Sequence, residues 1–175
     1  MPSLKSFNYV ASESALILIL GSMPGIESLN QQQYYAHPRN LFWEFMGEMF
    51  DFDEALPYQD RLNLLKHNKI ALWDVVSECR RKGSLDSNID ISSTEVNDFS
   101  LFFKRYTRIH AVFFNGRKSE ELFNRFVIKP LPPLPISLNY YSIPSSSPAN
   151  ASMNKQIKFE KWLQIKETIF INNNF

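Results

Sequence analysis

Four strand-like segments punctuate the 175-residue chain, with amphipathic stretches between them. The first, Ala15 to Leu20, is apolar at every position. It is too short to span a bilayer and has the pattern of a strand buried on both faces. Ile70-Ala71-Leu72-Trp73-Asp74-Val75-Val76 is the second, Ile109 to Phe114 the third and Asn139 to Ile143 the fourth. Helical spacing fills the gaps. Pro38 is placed to begin a helix that Arg39 to Phe50 continues, with Phe42, Phe45, Met46 and Met49 on one face. Pro57 opens a second helix running to about His67, with Leu62, Leu64 and Leu65 apolar and Asn68 at its end. Ser93 or Thr94 is placed to cap a helix from Glu95 to Tyr106. Further helices are expected from Arg117 to about Val127 and from Met153 to Phe170. Strands that alternate with helices, without repeats, predict an α/β fold: a parallel sheet with helices on both faces.

The breaks between these elements carry the polar chemistry. Residues 1–14 form a polar lead-in. Gly21-Ser22-Met23-Pro24-Gly25 stops the first strand in a tight, rigid turn that exposes backbone. A polar loop leads to Tyr34-Tyr35 and His37-Pro38-Arg39-Asn40. Ser77 to Ser93 has no regular pattern, and a loop of that length is more often functional than accidental. Pro130, Pro132, Pro133 and Pro135 make a stiff connector, and Pro144 to Asn150 is a further loop. The Asn-rich end is expected to fray. In a parallel sheet the polar breaks after each strand gather at one rim, where such folds bind ligands.

Length suggests one domain. No apolar run precedes Ala15, so no signal peptide is read. Cys79 is the single cysteine, which excludes an intrachain disulfide and fits a reducing, cytoplasmic setting. One cysteine and three scattered histidines form no zinc motif. The net charge of +1 argues against a protein that coats nucleic acid, but a site-specific enzyme needs only a local basic face. Arg80-Arg81-Lys82, Lys104-Arg105 with Arg108, Arg117-Lys118, and Lys155, Lys158 and Lys161 could build one, although any single run of this kind is more often a solvated helix face or loop.

The turn at Gly21–Gly25 has neither the dinucleotide pattern nor the ending of a phosphate loop. Tyr35 is either core or a ring on which a planar ligand stacks. Asn40 either satisfies helix N-terminal donors or holds a water molecule. Asn115 is either a turn former with Gly116 or an amide that offers a donor and an acceptor to a base edge. His37 and His110 have no evident carboxylate partner, and Ser145 to Ser147 lack the context of a serine nucleophile.

Several motifs taken together resemble one family. They are Gly21-Ser22-Met23-Pro24-Gly25, Gln33-Tyr34-Tyr35-Ala36-His37-Pro38-Arg39-Asn40 with Phe42-Trp43, Leu72-Trp73-Asp74-Val75, Gly83-Ser84-Leu85-Asp86-Ser87, Phe114-Asn115-Gly116 and Pro144-Ser145-Ser146-Ser147-Pro148-Ala149-Asn150. In this order, from about residue 15 to 165, they resemble the uracil-DNA glycosylase superfamily, and within it the hypoxanthine-DNA glycosylase branch. The resemblance implies a three-layer α/β/α domain around a four-stranded parallel sheet. It implies hydrolysis of the N-glycosidic bond of a deaminated base, hypoxanthine or uracil, flipped out of double- or single-stranded DNA, with no metal and no cofactor. By the same resemblance Asn40 is the catalytic amide. Ser22, Met23, Pro24 and Gly25 form the water- and base-binding loop, Tyr35 stacks on the base and Asn115 reads its edge. Ser145, Ser146, Ser147, Pro148 and Asn150 belong to the loop that enters the minor groove and fills the gap left by the base.

Two departures stand out. Met23 occupies a position where the mismatch-specific branch has Asn, and it can neither orient water nor accept a proton. Ser-Ser-Ser replaces the expected Ser-Thr-Ser. No lysine lies in the matched motifs to form a Schiff base, so a monofunctional glycosylase is expected. Asp74 is expected to be structural. The chain is expected to be monomeric and to have no membrane partner. A non-catalytic lesion binder and a nucleoside hydrolase are the alternatives.

Overall fold

The computed structural model describes residues 3–130 and 134–171. Its centre is a four-stranded parallel sheet in the order β3-β2-β6-β7, formed by β2 (Ile17–Gly21), β3 (Ile70–Asp74), β6 (Ala111–Asn115) and β7 (Asn139–Ile143). A small antiparallel sheet, β1-β4-β5, joins β1 (Leu4–Lys5), β4 (Val76–Cys79) and β5 (Glu95–Val96). The helices are α1 (Ile26–Gln31), α2 (Phe42–Phe50), α3 (Tyr58–His67), α4 (Phe99–Arg105), α5 (Arg117–Phe123) and α6 (Lys155–Ile171).

Strand alternation divides the interior into two cores. Ile17 and Ile19 pack with α2, α3 and α6 through Phe42, Phe45, Leu65, Trp162 and Ile165. Leu18 and Leu20 pack on the other face with Phe99, Phe103, Leu122 and Phe123 of α4 and α5. This is the three-layer arrangement expected from the motifs. The chain leaves β2 towards β3 and later crosses to β6 on β2's other side. The direction of winding therefore reverses between β2 and β6, and a crevice opens at their carboxyl ends.

Several boundaries differ from the sequence reading. The lead-in is not a bare arm: it supplies β1, a bridge from Val10 to Leu72, and the Tyr9 ring, which packs edge-on against Trp73. The polar loop after Gly25 contains α1. Helix α2 begins at Phe42 instead of Arg39, because Asn40 Oδ1 accepts a hydrogen bond from Phe42 N at 3.0 Å. The second strand breaks at Val75, and Val76–Cys79 continues in the small sheet. The supposedly irregular Ser77–Ser93 loop thus opens with a strand and contains two 3-10 turns, Asp86–Asn88 and Ile91–Ser93. Ser93 and Thr94 do not cap a helix; their hydroxyls donate to Asp90 O. Glu95 and Val96 pair as β5, and α4 starts later, capped by Asp98, whose Oδ1 accepts from Leu101 N at 2.9 Å. Helix α5 widens into a π-helical turn over Asn124–Ile128. Helix α6 starts two residues later than expected, with Asn154 Oδ1 accepting from Ile157 N. Pro132 and Pro133 of the connector, and Asn172 to Asn174 of the Asn-rich end, lie outside the described residues.

Candidate active site

The strand registers set Gly21 beside Asp74, Leu20 beside Phe114, and Asn115 beside Ile143. The carboxyl ends of the strands therefore present Asp74, Gly21-Ser22, Asn115-Gly116 and Ile143-Pro144 as one row. A cavity of about 920 Å³ lies along that row. Ser22, Met23, Pro24, Gly25, Tyr35, Asn40, Asn115, Ser145, Ser146, Ser147, Pro148 and Asn150 all line it. Residues separated by more than 100 positions in the chain thus converge, and Asn40 and Asn115 share one enclosure.

Polar side chains are buried around this cavity. Ser22, Ser28, Asp74, Asn115 and Ser146 are buried and line it, while buried Arg81 and Lys158 hold its loops. Burying such groups is unfavourable unless each is partnered, so their clustering marks a built site.

Asp74 lies buried at the carboxyl end of β3. Its Oδ2 accepts from Ser6 Oγ at 2.9 Å. Its Oδ1 reaches towards Gly21: a Cβ there would lie 2.3 Å from Asp74 Oδ1 and 3.1 Å from Tyr35 Oη. The bare Cα of Gly21 is what lets the carboxyl and the phenol approach. Burial, with a smaller contribution from Asp86, pushes Asp74 up to about 7, against the opposing Ser6 bond and Arg81. Tyr35 Oη is buried without a hydrogen-bond partner, beside the Asn115 amide. Burial and Asp74 hold its pKa far above the ordinary value, so the phenol stays neutral. Tyr35 adopts φ 55°, uncommon for a residue with a side chain. Its ring stacks on Phe42 at 4.1 Å and 18°, so a flat ligand can use only the other face.

Arg81 shapes the Ser22–Gly25 turn. It is buried, not part of a solvated basic patch, and its guanidinium donates to Gly83 O at 2.9 Å, Met23 O at 3.4 Å and Pro24 O at 2.5 Å. Ser22 Oγ donates to Asp86 Oδ1 at 2.6 Å, and Ile26 N to Ser84 Oγ at 2.9 Å. The Gly83–Ser87 segment is thereby fastened to the turn. Burial raises Asp86 above the ordinary carboxylate range, opposed by its Ser22 bond, Arg81 and Lys118. Met23 packs into the α4–α5 core, so this position contributes its backbone and an apolar anchor.

Asn40 and Asn115 are both partly engaged. Asn40 Oδ1 accepts from Phe42 N, which leaves one lone pair and the amide hydrogens for a ligand. The helix-partner reading of Asn40 is thus seen in the structure, and the same side chain lines the cavity. Asn115 Nδ2 donates to Ser146 Oγ at 2.9 Å, while its Oδ1 accepts from Ser146 N at 2.9 Å. One donor and one lone pair of Asn115 remain beyond this pairing. Ser146 O in turn accepts from Leu41 N at 3.0 Å. Gly116, at φ 94°, could not carry a side chain, since a Cβ would lie 2.9 Å from Ser145 Cβ.

Helix α6 straps the Pro144–Asn150 loop from beneath. Trp162 Nε1 donates to Pro144 O at 2.8 Å. Lys158 Nζ donates to Ser145 O at 2.9 Å and to Asn150 O at 2.5 Å. Lys158 therefore belongs to the interior and not to a basic surface, and burial lowers its pKa. Its position was legible, because Lys158, Trp162, Ile165 and Ile169 form one helical stripe. Substituting Lys158→Met keeps the stem but strands two carbonyls. Chemical denaturation should show a loss of about 1–3 kcal/mol, and fluorescence anisotropy should show weaker duplex binding.

Only some of the basic clusters face the cavity. Arg117, Lys118 and Lys161 line it. Lys155 pairs with Glu44 at 2.6 Å. Arg105 lies 3.6 Å from Glu13, which precedes β2, so the Lys104-Arg105-Arg108 cluster sits at the amino ends of the strands, away from the rim. Among the described residues no group of three or more His, Cys, Asp or Glu is placed to hold a metal ion, and no helix is long and apolar enough to cross a membrane.

The sequence model of the Uracil DNA glycosylase superfamily matches residues 7–167, nearly the whole chain. The chain belongs to the uracil DNA glycosylase superfamily. Relatives at higher similarity include a protein named hypoxanthine DNA glycosylase from Methanosarcina acetivorans, 38% identical over 159 residues, covering 89% of this chain and 94% of that one. A protein of the same name from Methanosarcina barkeri is 42% identical over 118 residues, covering 67% and 73%. A solution NMR structure from Methanosarcina acetivorans, described as a candidate uracil DNA glycosylase, superposes with a TM-score of 0.78 at 33% identity, covering 96% of this chain and 99% of that one. The sequence reading gave Asp74 a structural role and placed Arg81 and Lys158 in basic clusters; the structure buries all three. Nothing local in the sequence marks the burial of Asp74 and Arg81, which follows from the docking of distant segments.

Proposed function

We propose that this chain hydrolyses the N-glycosidic bond of hypoxanthine flipped out of DNA. Superfamily membership makes it a DNA glycosylase directed at deaminated bases. The choice of hypoxanthine is supported by the two relatives of that name and by a cavity roomy enough for a purine. The observation that carries the reading is the convergence of Asn40, Tyr35 and Asn115 on one cavity with Asp74 at its floor.

Each group has a role in this reading. A base inside a duplex is out of reach, and extruding it costs a few kcal/mol, less for a mispaired lesion. The extruded base lies against the open face of Tyr35, whose other face Phe42 braces. Bond cleavage leaves the electron pair on the base and a cation-like sugar. Asp74, in its protonated form, donates to the departing purine, and its position beside neutral pH makes that form available. Backbone groups of the Ser22–Gly25 turn, held by Arg81, and the remaining Asn115 donor stabilise the negative charge that builds on the base before that proton is transferred. Asn40 places the water that adds to the sugar carbon, and the proton this water sheds passes through solvent to restore the Asp74 acid. An amide is not a base, but an electrophile this reactive needs only an oriented nucleophile. The enzyme acts as a monomer in a reducing cytoplasm, a setting that its lone, buried Cys79 fits.

The test is incubation with labelled duplexes and single strands that carry inosine or uracil, followed by alkaline cleavage at abasic sites. Faster release from the inosine substrates is expected. Strand scission at neither base would overturn the reading, and hydrolysis of free inosine alone would replace it with a nucleoside hydrolase.

A further inference from the structure

A duplex that has lost a base from its stack collapses into the gap unless something bulky fills it. Proteins that open base steps do so with rigid apolar wedges. The Ser145–Asn150 loop, expected to fill the gap, is poorly equipped for this. Its side chains are those of Ser, Pro, Ala and Asn, and Ser146 is buried against Asn115.

Leu85 has the missing bulk. Of the exposed large hydrophobic residues among the described residues, Leu85 alone also lines the cavity, with 52% of its surface open. Its backbone is fastened on both sides. Gly83 O accepts from Arg81, Ser84 Oγ accepts from Ile26 N, Leu85 O accepts from Asn88 N at 3.0 Å, and Asp86 Oδ1 accepts from Ser22 Oγ. An apolar side chain is thus held out in solvent at a cavity mouth by a segment with little freedom to fold it inward. Arg117 and Lys118, the latter paired with Glu121 at 3.1 Å, line the same cavity, and the Arg117 guanidinium suits a phosphate of the nucleic acid that would cover Leu85.

We propose that Leu85 enters the DNA base stack at the place vacated by the flipped nucleotide. The inference rests on the glycosylase reading and assigns the wedge to the segment after β4, instead of to the Pro144–Asn150 loop. A wedge matters where a stack must be held open, so its loss acts chiefly on duplex substrate. The experiment compares the full chain, Leu85→Ala, Leu85→Met and Met153→Ala on inosine in duplex and in single strand. For Leu85→Ala the duplex-to-single-strand ratio of kcat/KM should fall about tenfold or more, with Leu85→Met restoring most of it. A 2-aminopurine placed beside the lesion should lose its binding-induced fluorescence rise in Leu85→Ala. An unchanged ratio with an unchanged fluorescence rise overturns the proposal, as does the same selective loss in Met153→Ala with Leu85→Ala unaffected. A wild-type chain that releases no base from either substrate removes the glycosylase reading, and this inference falls with it.

Discussion

Asn40→Ala is expected to slow hypoxanthine release from duplex DNA by about 10²–10³-fold in single-turnover measurements, the loss typical of removing one group that acts on the transition state. The same change deletes the acceptor for Phe42 N, so thermal melts should show a separate, smaller loss of about 1 kcal/mol. The two effects can be pulled apart. Asn40→Asp keeps an oxygen for the helix and should recover the stability fully. It lacks the amide hydrogens and should recover turnover only in part. If Asn40→Ala stays close to wild-type turnover, the water is held elsewhere.

Asp74→Asn is expected to make the protein more stable and the enzyme slower. The folded carboxyl titrates at about 7, against an ordinary value of 3.8. Between those values the folded state binds the proton that the unfolded state has released. The carboxyl's contribution to stability is therefore full below about 4, declines as pH rises and is lost above about 7. An amide cannot ionise, yet it can still accept from Ser6. At pH 8 the variant should gain on the order of 3 kcal/mol, or about 5–10 °C in Tm, and the gain should shrink as the pH is lowered towards 4. Turnover should drop about 10²-fold through loss of the proton donor. Wild-type turnover should decline above pH 7 as Asp74 loses its proton, and that decline should be absent from the variant. A variant no more stable than wild type at pH 8 would show that Asp74 is not a strained carboxylate.

Much of this was written in local pattern. Ala15–Leu20 gave β2, its alternate side chains divided between two cores, and the glycine- and proline-rich breaks did gather at one rim. Every site residue taken from the motifs lines the cavity. What stayed hidden depends on long-range docking. Nothing near Asp74 in the chain announces that Ser6, 68 residues away, will cover it. Arg81 looked like surface because its acceptors, Met23 O and Pro24 O, are backbone atoms with no mark in the sequence. The helix expected from Glu95 failed because pairing with β4 outweighed local propensity, and Asp98 then offered a better start. The pairing of Asn115 with Ser146 was not legible, because Ser146 arrives from a loop 31 residues away.

Ser146 grips Asn115 through two hydrogen bonds and holds Leu41, next to Asn40, through a third. Displacing this one hinge-pin would release Asn115 and the backbone next to Asn40 in a single move, so the two amides are mechanically tied to each other across the cavity.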